Sequence, residues 1–103
     1  MVKVRWTPQS LEDIFNIAEY IAIDSEKYAK IQTERFFDSV EILTTHPKAG
    51  RIVPETKNNS LRELVLGNYR LVYKIVSKTS IDIITIHHSK RLLFNNPAIG
   101  DSN

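Results

Sequence analysis

The chain of 103 residues contains no cysteine, which removes disulfide staples, thiolate metal sites and cysteine nucleophiles together. Glycine is scarce, with three residues at Gly50, Gly67 and Gly100, and none of them forms a glycine-rich phosphate loop. No serine stands in a nucleophile-elbow motif. No run of about 18 apolar residues occurs, so a membrane-spanning helix is not expected. Val2, Lys3, Val4, Arg5 and Trp6 alternate bulk and charge, unlike the continuous apolar stretch of a signal peptide. The adjacent His87 and His88, if on a strand, point to opposite faces and cannot chelate one ion. No metal and no cofactor are expected, and the default reading is one soluble, cytoplasmic domain without membrane association.

What is present is an ordinary globular composition, 42% hydrophobic and 25% charged, whose net charge of +2 hides a division along the chain. Residues 12–41 carry eight acids and three bases, a net −5, whereas residues 42–103 carry nine bases and four acids, a net +5. Such asymmetry suits an acidic partner or nucleic acid, and equally suits surface helices that favour glutamate.

The alternation of residues 2–6 predicts a half-buried strand. Thr7-Pro8 reads as an N-cap with proline at the first helical position. Leu11, Ile14, Phe15, Ala18, Ile21 and Ala22 recur at helical spacing. Asp24-Ser25 predicts a break and a new cap, with Glu26 favourable in the next first turn. Ala29, Thr33, Phe36, Val40 and Leu43 carry the second helix to His46-Pro47, where proline ends it. Residues 48–60 have no sustained period and read as loop. Leu61–Leu66 and Tyr69–Val76 are strands joined by Gly67-Asn68, with glycine at the first central position of a primed turn. Residues 81–86 form a third, β-branched strand. The expectation is an α+β domain, β-α-α-β-β-β, with a helical hairpin on a small antiparallel sheet. Residues 1–94 form the domain and residues 95–103 a flexible tail.

If the helices cover one sheet face, period two sends Tyr69, Leu71, Tyr73 and Ile75 toward them. Arg70, Val72, Lys74 and Val76 then lie on the opposite, exposed face. Arg62, Arg70, Lys74, His88, Lys90 and Arg91 are the candidate cations for a phosphate or an acidic partner. Val72 and Val76, exposed among them, would be covered by a disordered, acidic-amphipathic segment folding over the surface. Glu12, Asp13 and Glu63 read as solvated surface acids, and no catalytic residue is assigned outright.

Four stretches resemble the RelE/ParE superfamily of toxins from type II toxin–antitoxin pairs, and most nearly its ParE branch. Trp6-Thr7-Pro8-Gln9-Ser10-Leu11-Glu12-Asp13-Ile14, with Ile17 and Tyr20, is similar to that family's first strand and helix start, Ser10 standing where alanine is usual. His46-Pro47-Lys48-Ala49-Gly50-Arg51 with Pro54-Glu55 is similar to its loop. Leu61-Arg62-Glu63-Leu64 and Tyr69-Arg70-Leu71-Val72-Tyr73 resemble its hairpin, and Ile83 to Arg91 its last strand.

The resemblance implies a cytoplasmic toxin neutralised by a small ParD- or RelB-like antitoxin, and leaves dimerisation open. ParE-like members are understood as inhibitors of DNA gyrase, with a part in plasmid stabilisation. RelE-like members are ribosome-dependent endoribonucleases that cut mRNA, and in that case Arg70, His88, Arg91 and Glu63 would be the catalytic candidates. Phe94 follows Leu92-Leu93 where many nucleases of the family carry a tyrosine, and phenylalanine cannot transfer a proton. That departure favours the gyrase branch. A non-toxic binding module on the same fold is the third reading.

Overall fold

A computed structural model describes residues 1–89, so Lys90, Arg91 and the tail expected over 95–103 lie outside the described residues. Strand β1 (Lys3–Trp6) leads into helix α1 (Pro8–Ala22) and helix α2 (Glu26–Ser39). A short 3-10 turn (Glu41–Thr44) follows, then β2 (Arg51–Ile52), β3 (Leu61–Leu66), β4 (Tyr69–Ser77) and β5 (Ser80–His88). The sheet order is β1-β5-β4-β3-β2, with the two helices packed on one face.

Local chemistry places the helix starts where the sequence puts them. Thr7 Oγ1 accepts the Ser10 N–H at 3.2 Å and donates to the Ile83 carbonyl at 2.6 Å, so one hydroxyl caps α1 and ties it to β5. Ser10 is fully buried, and its hydroxyl donates to the Thr7 carbonyl at 2.7 Å, which lets serine occupy a site suited to alanine. Ser25 caps α2 by accepting the Tyr28 N–H at 3.0 Å. Gly67 has φ +60°, the left-handed value that the β3–β4 turn demands.

Three features differ from expectation. The sheet is mixed, because β1 pairs in parallel with β5 from Lys3↔Ser80 to Trp6↔Ile83, while every other pairing is antiparallel. Alternation in β1 reports half-burial; it carries no information on the direction of a partner that arrives 77 residues later. Helix α2 ends at Ser39 rather than near Pro47, and the chain tightens into the 3-10 turn. Three residues per turn keep Val40 and Leu43, both buried, on the same side facing the core. Lastly, Arg51 and Ile52, inside the expected loop, pair with Glu63 and Arg62 as the edge strand β2.

The principal core lies between helices and sheet and contains Ile14, Phe36, Leu43, Leu71, Tyr73, Ile81 and Ile83. A smaller one, Val53, Leu61 and Val72, lies under the segment that follows β2. Asp13 is no solvated acid. Its carboxylate accepts the Thr85 hydroxyl, the Ile86 N–H at 3.1 Å and the Gln9 amide at 2.8 Å, clamping α1 to β5. Asp13→Ala leaves those donors without their acceptor, and we expect a loss of about 2–3 kcal/mol in urea unfolding. Glu12→Ala, one residue earlier and exposed, should change stability by less than about 0.5 kcal/mol in the same measurement.

Candidate functional site

Strand register brings the family-like residues onto two different faces. Glu63 lies opposite Val72, Val65 opposite Arg70 and Leu61 opposite Lys74, so these six share the face turned away from the helices. Arg62 lies opposite Tyr73 and therefore shares the helix-side face with it. The candidate cations among the described residues, Arg62, Arg70, Lys74 and His88, do not form one patch.

Arg70 is the centre of the outer face, and it is buried rather than displayed. Its Nη1 and Nη2 donate to the two carboxylate oxygens of Glu55 at 2.6 Å each, a bidentate fork. Its Nε donates to Glu63 Oε1 at 2.7 Å, and its Nη2 also contacts that oxygen. Glu63, 1% exposed, accepts Arg51 Nε on its second oxygen at 2.6 Å. Two carboxylates and two guanidiniums thus form a neutral chain, Glu55–Arg70–Glu63–Arg51. The hydrogen bond from Arg70 holds the Glu55 carboxyl below its ordinary value, and the bond to Glu55 pushes the Arg70 guanidinium up.

This chain fastens the segment after β2 over the sheet. Val53, fully buried, donates its N–H to the Leu61 carbonyl at 3.1 Å, and Glu55 reaches Arg70 two residues later. Val72 is consequently buried beneath Val53 instead of exposed for a partner, whereas Val76 is 52% exposed as expected. On the helix side, the Tyr73 hydroxyl accepts the Gly50 N–H at 2.9 Å and donates to the Pro47 carbonyl at 2.8 Å. Arg62 Nη1 donates to the Gly50 carbonyl at 2.9 Å, and its Nε is buried without a partner among the described residues. A Cβ at Gly50 would lie 2.5 Å from the Glu63 carbonyl oxygen and 2.7 Å from the Tyr73 ring, so only glycine permits this approach. The Gly50-Arg51 and Pro54-Glu55 elements of the loop are therefore anchoring chemistry, which nothing in their spacing revealed.

The remaining candidates are dispersed. Lys74 is exposed beside Asp82 in the register. His87 is buried opposite Arg70, and His88 is half-buried with its ring edge-to-face on Tyr69 at 5.4 Å. The described residues hold no group of three or more His, Asp or Glu arranged to bind a metal, and no helix among them is long and apolar enough to cross a membrane.

The helices present a different surface. Phe15, Ala18 and Ala22 of α1 and Ala29 and Thr33 of α2 line an apolar groove of about 610 Å³ on the face away from the sheet. Phe15 is 52% exposed there, so part of the stripe that periodicity assigns to the core is surface. Glu19, Glu26 and Glu34 on its rim against Lys30 give it an acidic margin.

A two-helix layer on a mixed five-stranded sheet of this order is the fold of toxins from toxin–antitoxin complexes. It superposes on a chain of the chromosomal ParDE toxin–antitoxin system from P. aeruginosa with a TM-score of 0.71 and 19% identity, covering 87% of this chain and 98% of that one. A chain of the RelBE2 toxin–antitoxin complex from Mycobacterium tuberculosis gives 0.56 and 20% identity, covering 84% and 96%. No curated protein sequence matches significantly. The model of the ParE toxin of type II toxin–antitoxin systems matches residues 4–93, and the chain belongs to that family.

Removing Arg70 strands Glu63 as a buried, half-compensated charge. Arg70→Ala should cost about 3–5 kcal/mol in urea unfolding, whereas Arg51→Ala, which leaves one oxygen of the buried Glu63 without its donor but Arg70 in place, should cost less, about 1–3 kcal/mol. A carboxyl with a lowered pKa stabilises the fold above its unfolded value of 4.5 and loses that contribution as the pH falls through its folded value. Glu55→Gln should therefore lower stability at neutral pH and flatten the decline below pH 4.5, as read by thermal melts across the acid range.

Proposed function

We propose that the chain is the toxin of a type II pair, that it arrests growth by binding DNA gyrase, and that a small antitoxin neutralises it. The supporting observation is the commitment of Arg70. A nuclease reading needs this cation free to hold a scissile phosphate, yet its guanidinium is occupied by Glu55 and Glu63. Releasing it would expose two carboxylates that repel phosphate. Action through protein contact needs no such release, and it agrees with membership of the ParE family.

For the antitoxin, the groove between α1 and α2 is a better seat than the outer sheet face, because its apolar floor is open and Val72 is not. A partner helix with apolar residues along one stripe and basic residues beside it would bury Phe15 and meet Glu19, Glu26 and Glu34. Lys74 and His88, with Lys90 and Arg91, are left for the target.

Purified toxin should stall gyrase supercoiling or trap cleaved DNA at micromolar concentration, while mRNA on translating ribosomes stays intact in primer extension. Codon-positioned cuts would replace this reading with the ribosomal one, and harmless expression without antitoxin would replace both with a binding module. Phe15→Glu should leave the melting temperature nearly unchanged and weaken antitoxin binding by roughly 100-fold or more in calorimetry, the effect of losing a buried aromatic anchor. Wild-type affinity in that variant would remove the groove from the proposal.

A further inference from the structure

A second concavity lies on the helix side of the sheet, where α2 meets the β3–β4 turn. It is a cleft of about 410 Å³ lined by Tyr28, Gln32 and Arg35 on one side and by Leu66, Gly67, Asn68 and Tyr69 on the other. The three helical residues are spaced i, i+4 and i+7, so they form one stripe aimed at the turn. Gln32 is 8% exposed, yet its amide has no hydrogen-bond partner among the described residues. Arg62 Nε is the one side-chain nitrogen or oxygen sealed from solvent without a partner among the described residues, so the Gln32 amide is not sealed off, and its donor and acceptor are open at the cleft it lines.

The other walls are chemically specific. Arg35 is exposed and enters no ion pair among the described residues, leaving its planar fork open. The Tyr69 ring is fixed edge-to-face against Phe36 at 5.3 Å and His88 at 5.4 Å, so it offers a rigid aromatic wall. At Gly67 an added Cβ would meet nothing within 4 Å, which leaves the turn side open.

We propose that this cleft binds a nucleoside monophosphate, with the base against the tyrosine wall, its edge on the Gln32 amide and its phosphate on Arg35. A carboxamide offers one donor and one acceptor in a plane, the complement of a purine edge. Arginine suits a phosphate bidentately, and every base can stack on an aromatic ring. The volume falls within the range of small-molecule sites, and the tight turn bounds the cleft over a short length, which fits one nucleotide unit better than an extended peptide. The site is separate from both the Arg70 chain and the helical groove, and it does not depend on the gyrase reading.

The test is a titration of the full chain, followed by amide chemical shifts, with the four common ribonucleoside 5′-monophosphates, inorganic phosphate, ribose 5-phosphate and a short polyglutamate peptide. We expect saturable shifts at Gln32, Gly67 and Asn68 with a purine monophosphate, at a Kd on the order of 1 mM or below. Gln32→Met and Arg35→Gln should each weaken binding about tenfold or more, the weight of one charge-assisted or bidentate contact. Gln32→Met should also leave the melting temperature nearly unchanged, because the two side chains are similar in size and the amide that is lost makes no hydrogen bond among the described residues. Absence of saturation by about 10 mM, equal affinity for phosphate alone, preference for polyglutamate, or unchanged binding in both variants would each overturn the proposal. Should Gln32→Met fail to fold, the Arg35→Gln arm decides by itself.

Discussion

The guanidinium of Arg70, held between the carboxylates of Glu55 and Glu63, is the interaction on which the outer half of the molecule depends. A sheet with helices on one face has to protect the other. Here the protection is the segment carrying Val53 and Glu55, which has no secondary structure of its own after β2. The ion pairs fix that segment, the segment buries Val72 and Leu61, and the resulting small core leaves the outer face closed at its centre. Tyr73 and Gly50 anchor the start of the same segment from the helix side. One strand, β4, therefore supplies both fastenings, through Arg70 on one face and Tyr73 on the other.

This arrangement alters the meaning of the charge division. Two of the nine bases of residues 42–103, Arg70 and Arg51, are held by Glu55 and Glu63, and Asp82 is taken up by Arg5 at 2.9 Å, so the positive charge of that half resides on its other bases and not at the centre of the outer face. The acidic half keeps its charge on the helices, around an apolar groove. Among the described residues the helices present an open, acid-rimmed apolar groove, while the centre of the outer sheet face is closed. A toxin acting by contact needs such a division, with one surface available for neutralisation and another for its target.

Much of the fold was legible because the signals are local. Thr7, Ser25 and Gly67 cap or turn the chain through bonds and dihedrals set within three residues, and each does in the structure what its type implies. The family resemblance, which spans these same segments, agrees with the match over residues 4–93. The candidate site was less legible because its meaning lies in pairings across distance. Period two correctly sends Arg70 and Val72 to the face opposite the helices, but it cannot show that residues 53–55 fold back over them. Asp13 looks like any first-half helix acid until β5 arrives with Thr85 and Ile86. Glu55 and Glu63 are separated by eight residues and meet only through Arg70. The parallel placement of β1 has the same origin, a partner strand 77 positions away.

The central claim is that Arg70 holds structure rather than performs chemistry. The most direct measurement replaces the buried pair by apolar residues of similar size, Glu63→Leu with Arg70→Met, and follows growth arrest on expression without antitoxin. Exchanging a buried ion pair for well-packed apolar side chains is often neutral or stabilising, so the double variant can keep the fold. The account predicts native circular dichroism and undiminished growth arrest. A double variant with a native fold and melting temperature, but no toxicity, would contradict it.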